Sequence, residues 1–171
     1  MINDRQSGVL LHPTALPSAF GIGDIGPEAY RFIDYLVEMK QALWQVLPIG
    51  PTDIYNSPYS SISTFAGNYL LISFDLLIED KLLDHQKITN NTVSNRINFN
   101  DVIKYKRFIL DQVCKNFDKK ASDSIKNSYN QFCLDNSYWL DDYSLFNGLK
   151  EANVQKPWMN WNIKKLRSNI S

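Results

Sequence analysis

The sequence has no glycine-rich phosphate loop, no Gly-x-Ser-x-Gly turn, no His-Glu-x-x-His and no Cys-x-x-Cys. The usual sequence marks of nucleotide binding, serine hydrolysis and zinc hydrolysis are therefore missing. Cysteine is scarce. Cys114 and Cys133 are the pair present, each inside an apolar helical pattern, so two buried thiols are expected rather than a disulfide. With two histidines, His12 and His85, far apart in sequence, the ligands for a metal site are too few, and no metal or cofactor is expected.

Net charge is also lacking. Lys+Arg 18 against Asp+Glu 18 gives a formal charge of zero, whereas a nucleic-acid surface needs a concentrated positive field. The clusters Lys104-Tyr105-Lys106-Arg107 and Lys119-Lys120 fall on helical patterns whose other faces are apolar, and read as solvated faces. The longest apolar runs fall well short of a membrane span. Met1-Ile2-Asn3-Asp4-Arg5 leads straight into a strand-like run with neither a basic segment nor a long apolar one. These absences predict a soluble, cytoplasmic protein with no nucleic-acid or membrane partner.

Apolar material, by contrast, is ample. Of 171 residues, 44% are hydrophobic and 13% aromatic, enough for one globular core. Aromatic rings fill cores, but they also cover the apolar faces of sugar rings, so their positions matter more than their number.

Ser7-Gly8-Val9-Leu10-Leu11-His12 reads as a strand buried on both faces, stopped by Pro13. A Pro-, Gly- and Ser-rich loop follows over 13–26. Gly26-Pro27-Glu28 is a helix start, with proline where no intrahelical bond is lost and an acid at the positive end of the helix dipole. Ala29, Tyr30, Phe32, Ile33, Leu36 and Val37 then follow helical spacing, to an end near Lys40 or Gln41. Leu43 to Pro48 is a second strand, so the segment is a parallel βαβ unit. Ile49 to Asn68 is polar and rich in Gly, Pro and Ser. Its place after the carboxyl end of a strand, and its length, mark a binding loop of twenty residues without structure of its own.

Tyr69 to Ser73 reads as a short extended segment and Phe74 to Leu83 as a short helix. A polar stretch over 84–100 follows, with its tip at Asn90-Asn91-Thr92. Amphipathic helices are predicted over 101–117 (Val102, Tyr105, Ile109, Val113, Phe117), 122–134 (Ile125, Tyr129, Phe132, Cys133) and 137–151 (Trp139, Leu140, Tyr143, Phe146, Leu149). Two strands make a poor independent sheet, so the chain reads as part of something larger.

Glycoside chemistry needs two carboxyl groups about 5–5.5 Å apart in retaining enzymes. Asp24 and Asp53 lie on loops after strands and are eligible by position. Local backbone bonding accounts for Asp24, and a turn role for Asp53. Asp141 and Asp142 are adjacent on a helix and cannot face one substrate. No acid/base pair forms, so no catalytic residue is expected in the chain. Ser57 and Tyr59 flank Pro58, which fixes its own φ and pushes Ser57 away from the helical region. In an extended stretch their side chains would point the same way, a hydroxyl beside an amphipathic ring, as a sugar site requires. Asn68 reads as an anchor of the loop backbone. His12, at the carboxyl end of the first strand, either binds a ligand hydroxyl or orders the loop that follows.

Several ordered strings resemble one family. Gly8-Val9-Leu10-Leu11-His12-Pro13-Thr14-Ala15-Leu16-Pro17 and Phe20-Gly21-Ile22-Gly23-Asp24-Ile25-Gly26 are similar to the opening of 4-α-glucanotransferases, the amylomaltase or disproportionating-enzyme family. So are Trp44 to Thr52, Ser57-Pro58-Tyr59-Ser60-Ser61 and Phe65-Ala66-Gly67-Asn68. Trp139 to Phe146 and Pro157-Trp158-Met159-Asn160-Trp161 look like the family's helical insertion. Two departures touch the loop. Asp53-Ile54-Tyr55-Asn56 stands where the family has a Gly- and Asp-containing turn, and Tyr69-Leu70-Leu71-Ile72 where it has Pro-Tyr-Leu-Ile.

The resemblance implies an α/β fold, the N-terminal portion of a (β/α)8 TIM barrel. Residues 1–72 would form its first βαβ unit with the substrate loop, and 73–171 a mainly helical inserted subdomain. It implies transfer of α-1,4-glucan segments between maltooligosaccharides, or to a glucose acceptor. The mechanism would be retaining double displacement, with an Asp nucleophile and a Glu acid/base on later strands. Ser57 and Tyr59 would hold the glucan near the scissile bond; His12 joins them as a substrate-binding candidate from its place at the end of the first strand, not from the resemblance. The expectation is an N-terminal fragment inactive alone, whose partner would be the remainder of the barrel if the gene is split. The alternatives are a non-catalytic α-glucan-binding module or a helical interaction domain.

Overall fold

The computed structural model describes residues 5–85, 96–153 and 156–161; the proposed tip at Asn90–Thr92 lies outside them. The chain forms two compact units, Met1–Lys126 and Asn127–Ser171.

The first unit opens with strand β1 (Gly8–Leu10), helix α1 (Pro27–Glu38) and strand β2 (Leu43–Gln45). The strands pair in parallel, Gly8 opposite Leu43, Val9 opposite Trp44 and Leu10 opposite Gln45. A Cβ at Gly8 would run into the Leu43 carbonyl and side chain, so glycine permits the close approach here. The Trp44 indole donates to the Leu11 carbonyl at 2.8 Å, and its ring meets Phe32 of α1 edge-on at 5.0 Å. Helix α1 begins at Pro27 with Glu28 in its first turn, as its sequence predicts. It ends at Glu38 because Lys40 turns left-handed at φ 56°. Gln41 N–H then reaches the Leu36 carbonyl and Lys40 N–H that of Val37, which satisfies carbonyls the last helical turn leaves open.

The strands are not buried on both faces. Leu10 is 56% exposed and Leu43 51%, since among the described residues the sheet has two strands and α1 covers them from one side. Helix α1 likewise buries only Ala29 and Leu36 of its apolar stripe.

The core lies instead under the later helices. Phe20, Phe74, Leu82, Leu83, Ile109, Val113 and Ala121 form one buried cluster, and Ile22, Leu70 and Val102 a second. Helix α2 (Phe74–Glu79) supplies Phe74 and helix α3 (Phe99–Lys120) Val102, Ile109 and Val113, and the loops and helix ends around them supply the rest. The expected stripe of α3 is the buried one, with Val102, Ile109 and Val113 inside and Tyr105 and Phe117 packed against them. Its amino end is capped by Asn98, whose side-chain oxygen accepts from Asp101 N–H, and Lys119 and Lys120 favour its negative end. Helix α2 stops as α1 does: Lys81 has φ 60°, and Leu82 N–H donates to the Leu77 carbonyl. Leu77 and Leu82 also pack into the same cluster, the apolar contact that accompanies this kind of helix end.

Three local expectations change. Tyr69–Leu71 is a turn of 3-10 helix, not an extended segment, because the Asn68 side chain accepts from Leu70 N–H and starts it. Lys106 is not on a solvated face but wholly buried. Cys114 is exposed and Cys133 half-buried, and both are free thiols. Cys114 follows the buried Val113 by one position, about 100° around the helix, and so leaves the stripe.

Helix α4 spans Asp123–Asp135 and helix α5 Ser137–Ala152. Neither buries a residue fully. In the second unit Trp139 meets Tyr143 at 5.9 Å with the rings tilted, and Phe146 meets Trp161 at 5.3 Å. The Trp139 indole donates to the Asn136 side chain at 3.0 Å. No helix among the described residues is long and apolar enough to cross a membrane.

Candidate functional site

The segment between β2 and the turn at Tyr69 is not structureless. Its ends are tied by Asn68 N–H donating to the Ile49 carbonyl at 2.9 Å. Thr52 and Ser61 form an antiparallel bridge, flanked by Asp53 N–H to the Ser60 carbonyl and Ile62 N–H to that of Pro51. The tip between them is two turns in succession. In the first, the Asp53 carboxylate accepts from Tyr55 N–H at 2.9 Å, and Asn56 N–H donates to the Asp53 carbonyl. Asn56 then takes φ 57°, a left-handed conformation that asparagine tolerates better than most residues. In the second, Ser60 N–H donates to the Ser57 carbonyl at 3.1 Å, with Pro58 at the position that favours it.

Ser57 and Tyr59 are therefore not on an extended stretch, and alternation does not align them. The short reach of the Ser57–Ser60 bond turns the chain instead. Tyr59 stands 75% exposed at this turn, with Ser57 half-buried beside Pro58.

Behind the loop is an open pocket of about 180 Å3, whose walls include His12, Pro48, Thr52, Asn56, Pro58 and Phe99. His12 caps the 3-10 turn Pro13–Ala15. Its Nδ1 accepts from Thr14 N–H at 3.4 Å and lies 2.7 Å from the Thr14 hydroxyl. With Nδ1 as acceptor, the neutral ring carries its proton on Nε2, a tautomer assigned from those contacts. Nε2 is buried and has no hydrogen-bond partner. Burial holds the His12 pKa below the ordinary histidine value, with the Pro48 backbone acting the other way. Nδ1 thus orders the following loop, one of the two roles its sequence position allows, while Nε2 is shielded beside the pocket.

Asp24 is not held by local backbone bonds. It is buried, with Oδ2 3.6 Å from Lys106 Nζ. Burial raises its pKa, Lys106 lowers it, and Asp75 raises it again. Asp53 is the turn residue its sequence suggests, and Asn68 is the anchor, with its side-chain oxygen on Leu70 N–H and its own N–H on Ile49. Sequence reasoning missed Phe99 and Lys106. The signal for Lys106 was there: it lies four residues after Val102 and three before Ile109, on the buried stripe.

The family model for 4-alpha-glucanotransferase matches residues 11–170. The chain belongs to the 4-alpha-glucanotransferase family. It is 42% identical over 166 residues to the 4-alpha-glucanotransferase of Synechocystis sp., covering 94% of this chain and 32% of that protein. It is 42% identical over 159 residues to the enzyme of that name from Aquifex aeolicus, covering 92% and 31%. Among solved structures, amylomaltase from Streptococcus agalactiae in complex with acarbose superposes with a TM-score of 0.84 at 33% identity, covering 96% of this chain and 35% of that one. The chain spans about a third of the length of the curated relatives it matches. As a family member it has a mixed α/β architecture with a parallel βαβ start, and its loop 49–68 falls within the matched residues.

Proposed function

We propose that this chain forms one wall of the α-glucan site of a 4-alpha-glucanotransferase, which moves α-1,4-glucan segments between maltooligosaccharides by retaining double displacement. The observation that carries this is Tyr59, 75% exposed on a turn of a loop whose base and middle are fixed by backbone hydrogen bonds. A ring displayed on a preformed loop can cover the apolar face of a sugar with little ordering cost. Ser57 beside it would exchange hydrogen bonds with sugar hydroxyls, and His12 lines the pocket that a sugar hydroxyl would enter.

The chain contributes no catalytic carboxylate in this reading. Asp24 is engaged by Lys106 and Asp53 by its turn, so the nucleophile and the acid/base belong to other strands of a (β/α)8 barrel. Residues 1–72 would be its first βαβ unit and 73–171 an inserted subdomain. The exposed Leu10 and Leu43, and the exposed Ile33 and Val37 on α1, support a barrel in which further elements cover these faces.

The test is a titration of the chain with maltoheptaose, followed by amide chemical shifts. Shifts at Ser57, Tyr59 and Thr52 support the reading; silence at millimolar sugar sinks it. Incubation with maltotriose should yield no glucose and no longer dextrins, and redistribution by the purified chain would overturn the assignment of the carboxylates elsewhere.

A further inference from the structure

Lys106 is fully buried in the middle of α3. Its ammonium donates to the carbonyls of Leu70 at 2.6 Å and Ile72 at 2.9 Å. It lies 3.6 Å from the Asp24 carboxylate and 5.1 Å from the centre of the Phe74 ring. An ammonium has three protons to place; two go to these carbonyls, and the Asp24 carboxylate stands beyond hydrogen-bond length as an ion-pair partner. The partners come from separate segments: the loop after β1, the turn that closes the binding loop, and the start of α2. An apolar side chain would fill this space at a lower desolvation cost. It could not hold those segments together, and it would leave the Leu70 and Ile72 carbonyls without their buried partner.

The clamped turn is part of the pocket. The side chains of Asn68 and Leu70 line it, and so does Phe99 from the first residue of α3. Phe99 precedes Lys106 by seven residues, two helical turns on the same helix. The turn Tyr69–Leu71 has one hydrogen bond closing its far end, from Ile72 N–H to the Tyr69 carbonyl, and a single 3-10 turn is weak by itself. Ile25 N–H, next to Asp24, also donates to the Leu71 carbonyl at 3.0 Å, so both loops meet at this point.

We propose that Lys106, held by Asp24, is a positioning residue that locks the Leu70–Ile72 backbone to α3 and so sets the Asn68–Leu70 wall of the pocket against Phe99. The fold of the pocket does not depend on what it binds, but the consequence for sugar affinity rests on the glucan reading above.

Amide hydrogen exchange of the full chain tests the clamp without any ligand. The variants are Lys106→Met, Asp24→Asn and, as a core control on the same helix, Val113→Ala. In Lys106→Met, exchange at Asn68, Leu70 and Leu71 should rise by about tenfold more than at the interior amides of α3. Asp24→Asn keeps the lysine and its carbonyl bonds, so it should fold and show the same pattern more weakly. Val113→Ala should raise exchange evenly. If Asp24→Asn and Lys106→Met also raise it evenly, or not at all, Lys106 contributes stability alone and the proposal is overturned.

A second arm uses maltoheptaose. Affinity should fall about tenfold in Lys106→Met and stay within about twofold in Val113→Ala, and equal affinities would also overturn the proposal. If the wild-type chain itself gives no response, the glucan reading fails, and the exchange pattern alone decides whether Lys106 positions the wall.

Discussion

Replacing Phe74 by leucine should cost the chain about 2–3 kcal/mol. Phe74 is 0% exposed, and its ring lies 5.2 Å from that of Phe20 and 6.0 Å from that of Tyr105, with Lys106 Nζ 5.1 Å from its centre. Leucine keeps most of the apolar burial, so the loss is chiefly of ring contacts. Two aromatic pairs are worth about 0.5–1.5 kcal/mol each, and a desolvated cation over a ring about 2 kcal/mol. Leucine recovers part of this through its own dispersion contacts, which brings the sum down to the figure given. Phe74→Ala adds a cavity and should cost about 3–5 kcal/mol, a large share of the roughly 5–15 kcal/mol that holds a domain folded. Urea unfolding followed by far-UV circular dichroism measures both. The midpoint should fall with the slope unchanged. A loss below about 1 kcal/mol for Phe74→Leu would mean that the cluster tolerates a non-aromatic residue at its centre, and the assignment of the core to this ring set would be wrong.

Lys81 holds a left-handed backbone at φ 60° at the end of α2, so Lys81→Gly should stabilise the chain by roughly 0.5–1 kcal/mol; a lower melting temperature would refute this. Tyr59→Ala should leave stability within about 0.5 kcal/mol, since the ring is 75% exposed, yet remove the chemical-shift response to maltoheptaose; an unchanged response would take Tyr59 out of the site. The Asp24 pKa is raised by burial, so the unfolded chain releases this proton at lower pH than the folded chain does. Relative to Asp24→Asn, the wild type should therefore lose stability as pH rises from the ordinary aspartate value towards the raised one, and parallel stability curves for the two proteins would contradict the assigned cause. Cys114 is exposed and Cys133 half-buried, so a thiol reagent should label Cys114 first, and the reverse order would place Cys114 inside the helix packing.

Helices were the most legible part of the sequence. Pro27 at the start of α1 and the spacing of Val102, Ile109 and Val113 in α3 need only local geometry and a 3.6-residue period. The loop 49–68 could be located, but its shape could not be. Its bridge between Thr52 and Ser61 joins residues nine apart, and the turn at Ser57–Ser60 displaced the alternation that an extended stretch would have given. His12 could be named as a candidate because it follows closely on β1. That its Nδ1 is taken up by Thr14 while the residue lines a pocket became visible only in the folded chain.

By itself the sequence determined the family, through ordered strings with Trp, Pro and Gly at set places, and the βαβ start. Tertiary structure decided which apolar faces are covered. It put the core between the loops, α2 and α3, left Leu10 and Leu43 exposed, and turned Lys106 from a surface cation into a buried one bonded to two backbone carbonyls. The reason is that periodicity tells which residues share a face, whereas burial depends on what packs against that face from elsewhere in the chain.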